Sequence, residues 1–335
     1  MILLSLFLLR PLSIGSYAYA SPVDAKTENL HSLWAQKSEE ELFVQVENFH
    51  YSGQFVEAQE LLDYLLNNRF SLYAYFLWAQ NMEYQRDFEL AVDLYQDILK
   101  EDIDPDFRMD VYYRLGLAYD DWGKPKKAIK VWRRLLKSKR FPIQHRSAVS
   151  LLLGAAYIHS GAYAKGVAII NKELEQATRD QNWMKARARN ALAMVLIQQA
   201  DRLIIRGKDA QETIEKKMEI LKQAEAQVIT SVELNKSAYV LQGVIQMVDA
   251  YLRMYDDARS IPPPQKLRAY AENYYFQTLS QKSKILLLRA EDYAQKGWKY
   301  ALRTNWQGIE REQIKQRLDA LRKEKSRRYI SSTTH

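Results

Sequence analysis

The chain has 335 residues, 47% of them apolar, with only 11 Gly and 8 Pro. It is therefore long enough for a substantial core and too poor in turn residues for an all-β fold. It contains no cysteine, which excludes disulfides, thiolate metal sites and a lipid-modified N-terminal Cys. The formal net charge is +8, from 49 basic and 41 acidic residues.

Residues 1–20 carry an apolar run from Ile2 to Leu9 and end in Ala18-Tyr19-Ala20. This A-x-A pattern predicts a signal peptide cut before Ser21, although no basic residue precedes the run and Arg10 follows it. The run falls far short of the ~20 residues that span a bilayer. The expectation is an exported, soluble protein, and with no disulfides a bacterial periplasm fits best. Residues 21–38 read as a linker or N-terminal segment.

From 39 to 172 one pattern occurs four times, in "YSGQFVEA" (51–58), "YQRDFELA" (84–91), "DWGKPKKA" (121–128) and "HSGAYAKG" (159–166). Aligned on Ala58, Ala91, Ala128 and Gly166, the copies are spaced by 33, 37 and 38 residues. Twelve positions earlier stand Val46, Ala79, Gly116 and Gly154, and four positions later stand Leu62, Tyr95, Trp132 and Ile170. Small residues let two antiparallel helices approach, and the large ones fill the space beside them. Gly53, Gly123 and Gly161 lie where the chain must reverse at positive φ, with Arg86 at the equivalent place in the second copy. One such hairpin cannot bury its apolar face alone, so periods of this length predict a stack of helical hairpins.

The pattern resembles the tetratricopeptide repeat. "YYRLGLAYDDWGKPKKAIKVWRRLL" (112–136) carries it best, through Leu115-Gly116, Tyr119, Gly123, Ala128 and Trp132. Departures are Gln45 in the first copy, Arg86 in the second and Gly166 in the fourth. The resemblance implies an all-α solenoid and a concave groove lined by the first helix of each hairpin. Carried over, the groove positions are Phe43 and Tyr51 with Glu40, Glu47 and His50 in the first copy. In the second they are Tyr73, Phe76, Glu83 and Tyr84 with Gln80, and in the third Tyr113 and Asp120 with Asp110 and Asp121. Aromatic faces with carboxylates between them suit an extended peptide carrying Lys or Arg.

Residues 173–260 read as longer, degenerate helical repeats turning near Gly207-Lys208-Asp209, with a further helix over 237–258. The prolines of 261–264 break the chain. A C-terminal helical module over 265–328 follows, as helices of about 265–303 and 307–328 that serve as a cap or a partner-binding element. Residues 329–335 read as a disordered tail.

Charge is divided along the chain. Residues 21–110 hold 6 basic and 19 acidic side chains, whereas 111–335 hold 42 and 22, and the run from Trp122 to Lys172 has twelve Lys or Arg and no acid. Lys126, Lys127, Lys130, Arg133, Arg134 and Lys137 avoid the packing positions of Ala128, Trp132 and Leu135. They form either a solvated helix face or a surface for an acidic partner, an anionic envelope polymer, a phosphate-bearing lipid head group or the acidic N-terminal half of another copy. The five histidines lie at 31, 50, 145, 159 and 335, too far apart for a helical two-His metal pair. Nucleophile-elbow, phosphate-loop and dinucleotide motifs are absent. The expectation is a non-catalytic periplasmic scaffold without cofactor or metal that binds other proteins of a cell-envelope complex. The alternatives are an envelope-polymer or lipid-binding module and, if the leader is not a signal, a cytoplasmic protein associated with nucleic acid.

Overall fold

The computed structural model describes residues 25–176, 182–205, 209–233, 237–260 and 269–333. All regular structure among them is α-helical, in fourteen helices. The expected signal peptide (1–20), the Gly207-Lys208 turn and the prolines of 261–264 lie outside the described residues. The chain divides into two compact units, Met1–Leu42 and Phe43–His335.

In the first unit, helix α1 (Ala25–Ala35) occupies most of the stretch expected to be a linker or N-terminal segment. Residues 25–35 contain neither Gly nor Pro to interrupt a helix. Helix α2 (Glu39–Ser52) begins here and continues into the second unit. Ser38 and Glu41 start it with a capping box: the Glu41 amide donates to Ser38 Oγ (3.2 Å) and the Ser38 amide donates to Glu41 Oε2 (2.8 Å).

In the second unit α2 is followed by α3 (Phe55–Asn68), α4 (Leu72–Tyr84), α5 (Phe88–Ile98), α6 (Pro105–Asp121), α7 (Pro125–Lys137), α8 (Ile143–His159) and α9 (Tyr163–Leu174). These make four hairpins with one turn geometry. Gly53, Arg86, Gly123 and Gly161 all have left-handed φ, at +77°, +68°, +74° and +86°. The next amide reaches back five residues in each case: Gln54 to Phe49, Asp87 to Met82, Lys124 to Tyr119 and Ala162 to Tyr157, at 2.8–2.9 Å. This is the helix-ending bond of a Schellman turn. Arg86 takes up the geometry at a cost of ~1–2 kcal/mol that glycine would not incur.

Within each hairpin the small and large positions meet as their types require. Ala58, Ala91 and Ala128 are fully buried, as are Leu62, Tyr95, Trp132 and Ile170. A Cβ on Gly116 would stand 2.2 Å from Trp132 Nε1, and one on Gly166 would stand 2.5 Å from the Gly154 carbonyl oxygen. Each large side chain so enclosed contributes ~1.5–3 kcal/mol.

Five longer helices follow: α10 (Asn182–Arg202), α11 (Ala210–Glu233), α12 (Ser237–Arg259), α13 (Ala269–Arg303) and α14 (Ile309–Thr333). Helix α10 packs on α8, α11 and α12, and α12 packs on α13 and α14. Their shared core includes Leu221, Met247, Tyr251, Leu286, Ala290, Ile314 and Leu318. Helix α14 runs on to Thr333, through most of the stretch expected to be a disordered tail, because no Gly or Pro stops it. Among the described residues, no helix is long and apolar enough to cross a membrane.

Candidate functional site

The turn between α13 and α14 lies against the first two hairpins of its unit. The Gln307 amide donates to the Ser52 carbonyl (3.1 Å), and a Cβ on Gly53 would stand 2.7 Å from the Gly308 nitrogen. The Trp306 ring meets Phe55 edge-on at 6.2 Å. Glu310, only 5% exposed, accepts from Trp306 Nε1 (3.1 Å), Gln242 Nε2 (3.3 Å) and Arg86 Nη2 (3.5 Å). The strained turn residue Arg86 is therefore also a contact for the C-terminal helices.

A cavity of about 730 Å³ lies inside this contact. Helices α2, α4, α6, α8, α10, α12 and α14 all contribute to its wall, through residues such as His50, Glu83, Arg114, His159, Arg187, Gln246 and Glu310. Two aromatic groups form much of the wall. Trp183 meets Tyr113 edge-on at 6.0 Å and stacks on Tyr239 at 5.6 Å, and Phe55 stacks on Tyr84 at 5.3 Å. Exposed Tyr51 and Arg86 stand at the rim.

The charges inside are arranged in two groups. In the first, Glu83 accepts from the Tyr95 hydroxyl (3.0 Å) and lies 3.2 Å from Arg114 Nη2, whose guanidinium sits over the Tyr84 ring. Burial outweighs the attraction of Arg114 and pushes the Glu83 carboxyl up to about 7. In the second, Arg187 donates to Asp120 Oδ2 (2.6 Å) and to both oxygens of Asp121 (2.6 and 3.1 Å). His159 Nδ1 lies 2.9 Å from Asp120. Burial works against the Asp120 charge, but Arg187 and then His159 overcome it and hold the carboxyl below its ordinary range. His50 shares a hydrogen bond with Asn81 Oδ1 (3.1 Å), and burial, helped by Arg114, lowers its pKa to about 3.

The candidate groove residues separate accordingly. Glu83, Tyr84, Tyr113 and the rim residue Tyr51 line the cavity. Asp120 is 5% exposed and is held by Arg187 rather than offered to a ligand. Phe43 and Tyr73 pack edge-on at 4.9 Å, and the Tyr73 hydroxyl donates to Glu47 (2.8 Å). Phe76 is corrected from groove to core: it is 5% exposed and packs on Tyr95 and Phe107. Nor is the inner face an open channel at the first two hairpins, because the α13–α14 turn lies against it. Sequence reasoning missed Arg114, Arg187, Trp183, Tyr239 and Glu310. The available signal was a charge set among small or apolar neighbours, as in "ARARNALA" around Arg187.

On the outer side, Lys126, Lys127, Lys130, Arg133, Arg134 and Lys137 are all exposed along α7, while Ala128, Trp132 and Leu135 of the same helix are buried. Lys127 lies over the Tyr119 ring and Arg134 over the Tyr112 ring. Among the described residues, none of the six forms an ion pair with a carboxylate.

Residues 110–138, which comprise most of α6, the Gly123 turn and α7, match the family described as tetratricopeptide repeat. No curated protein matches the chain significantly. Residues 110–138 are thus a tetratricopeptide repeat, and the other three hairpins share its left-handed turn and its small-against-large packing rule.

Proposed function

We propose that the protein is a non-catalytic interaction scaffold that engages an acidic partner protein through the outer face of α7. Repeats of this family suggest protein–protein interaction, and the observation that carries this reading is the row of six exposed cations on the matched repeat. A single-sign surface repels itself and is ordinarily balanced by neighbouring charges of opposite sign. Arginines and lysines so placed steer an acidic partner and set its orientation. Ala18-Tyr19-Ala20 supports the further proposal that the scaffold is exported to the periplasm and serves a cell-envelope complex.

Affinity capture from envelope extracts tests the surface, comparing wild type with the variant Lys130→Glu/Arg133→Glu/Arg134→Glu. The melt should hardly change, since exposed charges contribute ~0–1 kcal/mol each. Capture of an acidic protein should weaken in the variant, and wild-type capture should weaken as salt shortens the Debye length from ~8 Å at physiological ionic strength. Equal capture by both proteins at low salt removes the α7 face as a docking surface. Binding to anionic vesicles in place of a protein assigns the face to a membrane and overturns the protein-partner reading. N-terminal sequencing of the mature protein tests export, with Ser21 as the expected first residue and an intact Arg10 as the refuting one.

A further inference from the structure

The wall of the inner cavity carries hydrogen-bonding groups that the hairpin packing does not satisfy. Among the described residues, Arg114 Nε and Nη2, Arg187 Nε, the Tyr113 hydroxyl, Gln246 Oε1 and Asn190 Oδ1 are buried without a hydrogen-bonding partner, and all five side chains line the cavity. Buried polar groups are nearly always paired, and orphaned ones gather where a ligand completes them. Four of these six atoms can donate, and the charged ones are guanidinium nitrogens. No carboxylate oxygen among the described residues is left in the same condition. This imbalance favours an anion over a cation, despite the aromatic wall.

The two arginines differ in what balances them. Arg187 faces both Asp120 and Asp121 and is over-compensated. Arg114 faces Glu83 alone, at 3.2 Å and without hydrogen-bond alignment at Nη2. That carboxylate already accepts from Tyr95, and burial raises its pKa to about 7, so that only about half of its charge is present near that pH. Arg114 is thus the under-compensated charge of the cavity, with the Tyr113 hydroxyl next to it in the chain.

The rest of the wall defines the body of the ligand. A volume of about 730 Å³ lies within the range of small-molecule pockets, ~300–1,000 Å³, and is small for a folded partner. The Tyr113–Trp183–Tyr239 group and the Phe55–Tyr84 stack offer ring faces and edges to a planar apolar group. Exposed Tyr51 and Arg86 at the rim leave a way in from solvent.

We propose that this cavity binds a small organic anion, a planar apolar body whose carboxylate or phosphate oxygens accept from the Arg114 guanidinium and the Tyr113 hydroxyl. The proposal is independent of the α7 face, which lies on the outer side. Titration calorimetry on the full chain tests it with three probes of one shape: 2-naphthoate, 2-naphthyl phosphate and the neutral 2-naphthamide. At least one anion should bind roughly tenfold or more tightly than the amide, as a charge-assisted pair in a desolvated site requires. The stronger of the two anions identifies the head group.

The variant Arg114→Met/Glu83→Gln removes both members of the buried pair at similar volume, so that no buried charge is orphaned. It should lose the preference for the anion over the amide. Tyr113→Phe deletes a hydroxyl that has no hydrogen-bonding partner among the described residues, so its fold should persist, and it should weaken the preferred anion by about threefold or more. If the double variant fails to fold, Tyr113→Phe alone decides. Wild type that binds neither anion better than the amide overturns the proposal, as does an anion preference left unchanged by the variants that fold.

Discussion

Gly116→Ala tests the packing rule of the repeat at its tightest point. The added methyl would lie 2.2 Å from Trp132 Nε1, 2.5 Å from Cε2 and 2.8 Å from Cδ1. Ordinary contact begins near ~3.4 Å, so the ring or the helix must move by more than 1 Å. Trp132 is fully buried and rigid, and so has little room to yield. Two effects compete. Alanine gains ~1 kcal/mol of helix propensity over glycine in the middle of α6. Overpacking a dense core typically costs ~1–3 kcal/mol and occasionally more. An indole displaced by more than an ångström belongs at the upper end, so a net loss of about 2 kcal/mol is expected. Urea denaturation followed by circular dichroism reads it as a lowered midpoint with an unchanged slope. Trp132→Leu in the same chain removes the obstacle, and the double variant should lose less than the sum of the two single changes. If Gly116→Ala is as stable as wild type or more so, close approach of α6 to α7 through this glycine is not what the position provides.

Burial raises the Glu83 pKa from 4.5 to about 7, so the folded state holds its proton more tightly than the unfolded chain does. Glu83 therefore disfavours folding increasingly as pH rises from about 4.5 to 7, by on the order of 3 kcal/mol in total. In Glu83→Gln this component should vanish from stability measured at a series of pH values. His50, lowered to about 3, acts oppositely between about 3 and 6.5, so the difference between variant and wild type is the quantity to read. Arg187→Met leaves Asp120 charged, buried and facing His159 alone, and should cost ~3–5 kcal/mol in a urea melt. Adding Asp120→Asn to that variant should restore a large part of the loss.

The hairpins were legible because their information is local. Each turn residue, its small partner and its large filler lie within a few helical turns of one another, and alignment alone placed Arg86 at a position that takes positive φ. Phe76 was not legible in the same way. Its place on the first helix of a hairpin reads as groove, but Phe107 of the next hairpin covers it, thirty-one residues on. The cavity was harder still. Arg114 and Arg187 look like surface charges until the acids that hold them are known, and those acids lie on other helices. The contact of the α13–α14 turn with the first hairpins joins residues more than 200 positions apart, and no periodicity records it.

That contact changes how the second unit comes apart and how it is made. In a linear array each repeat leans only on its neighbours, so the terminal repeats fray first and opening spreads inward. Here the bond from Gln307 to Ser52, with Trp306 and Glu310 beside it, ties the first hairpin to the last helices. Releasing one end now requires breaking contacts with the other, so amide exchange in α3 should slow towards that of the central helices instead of marking a loose terminus. Synthesis pays for this arrangement in time. The first hairpin leaves the ribosome roughly 250 residues before its distant contacts exist, and Phe55 and Tyr84 stay uncovered on that side until the C-terminal helices arrive.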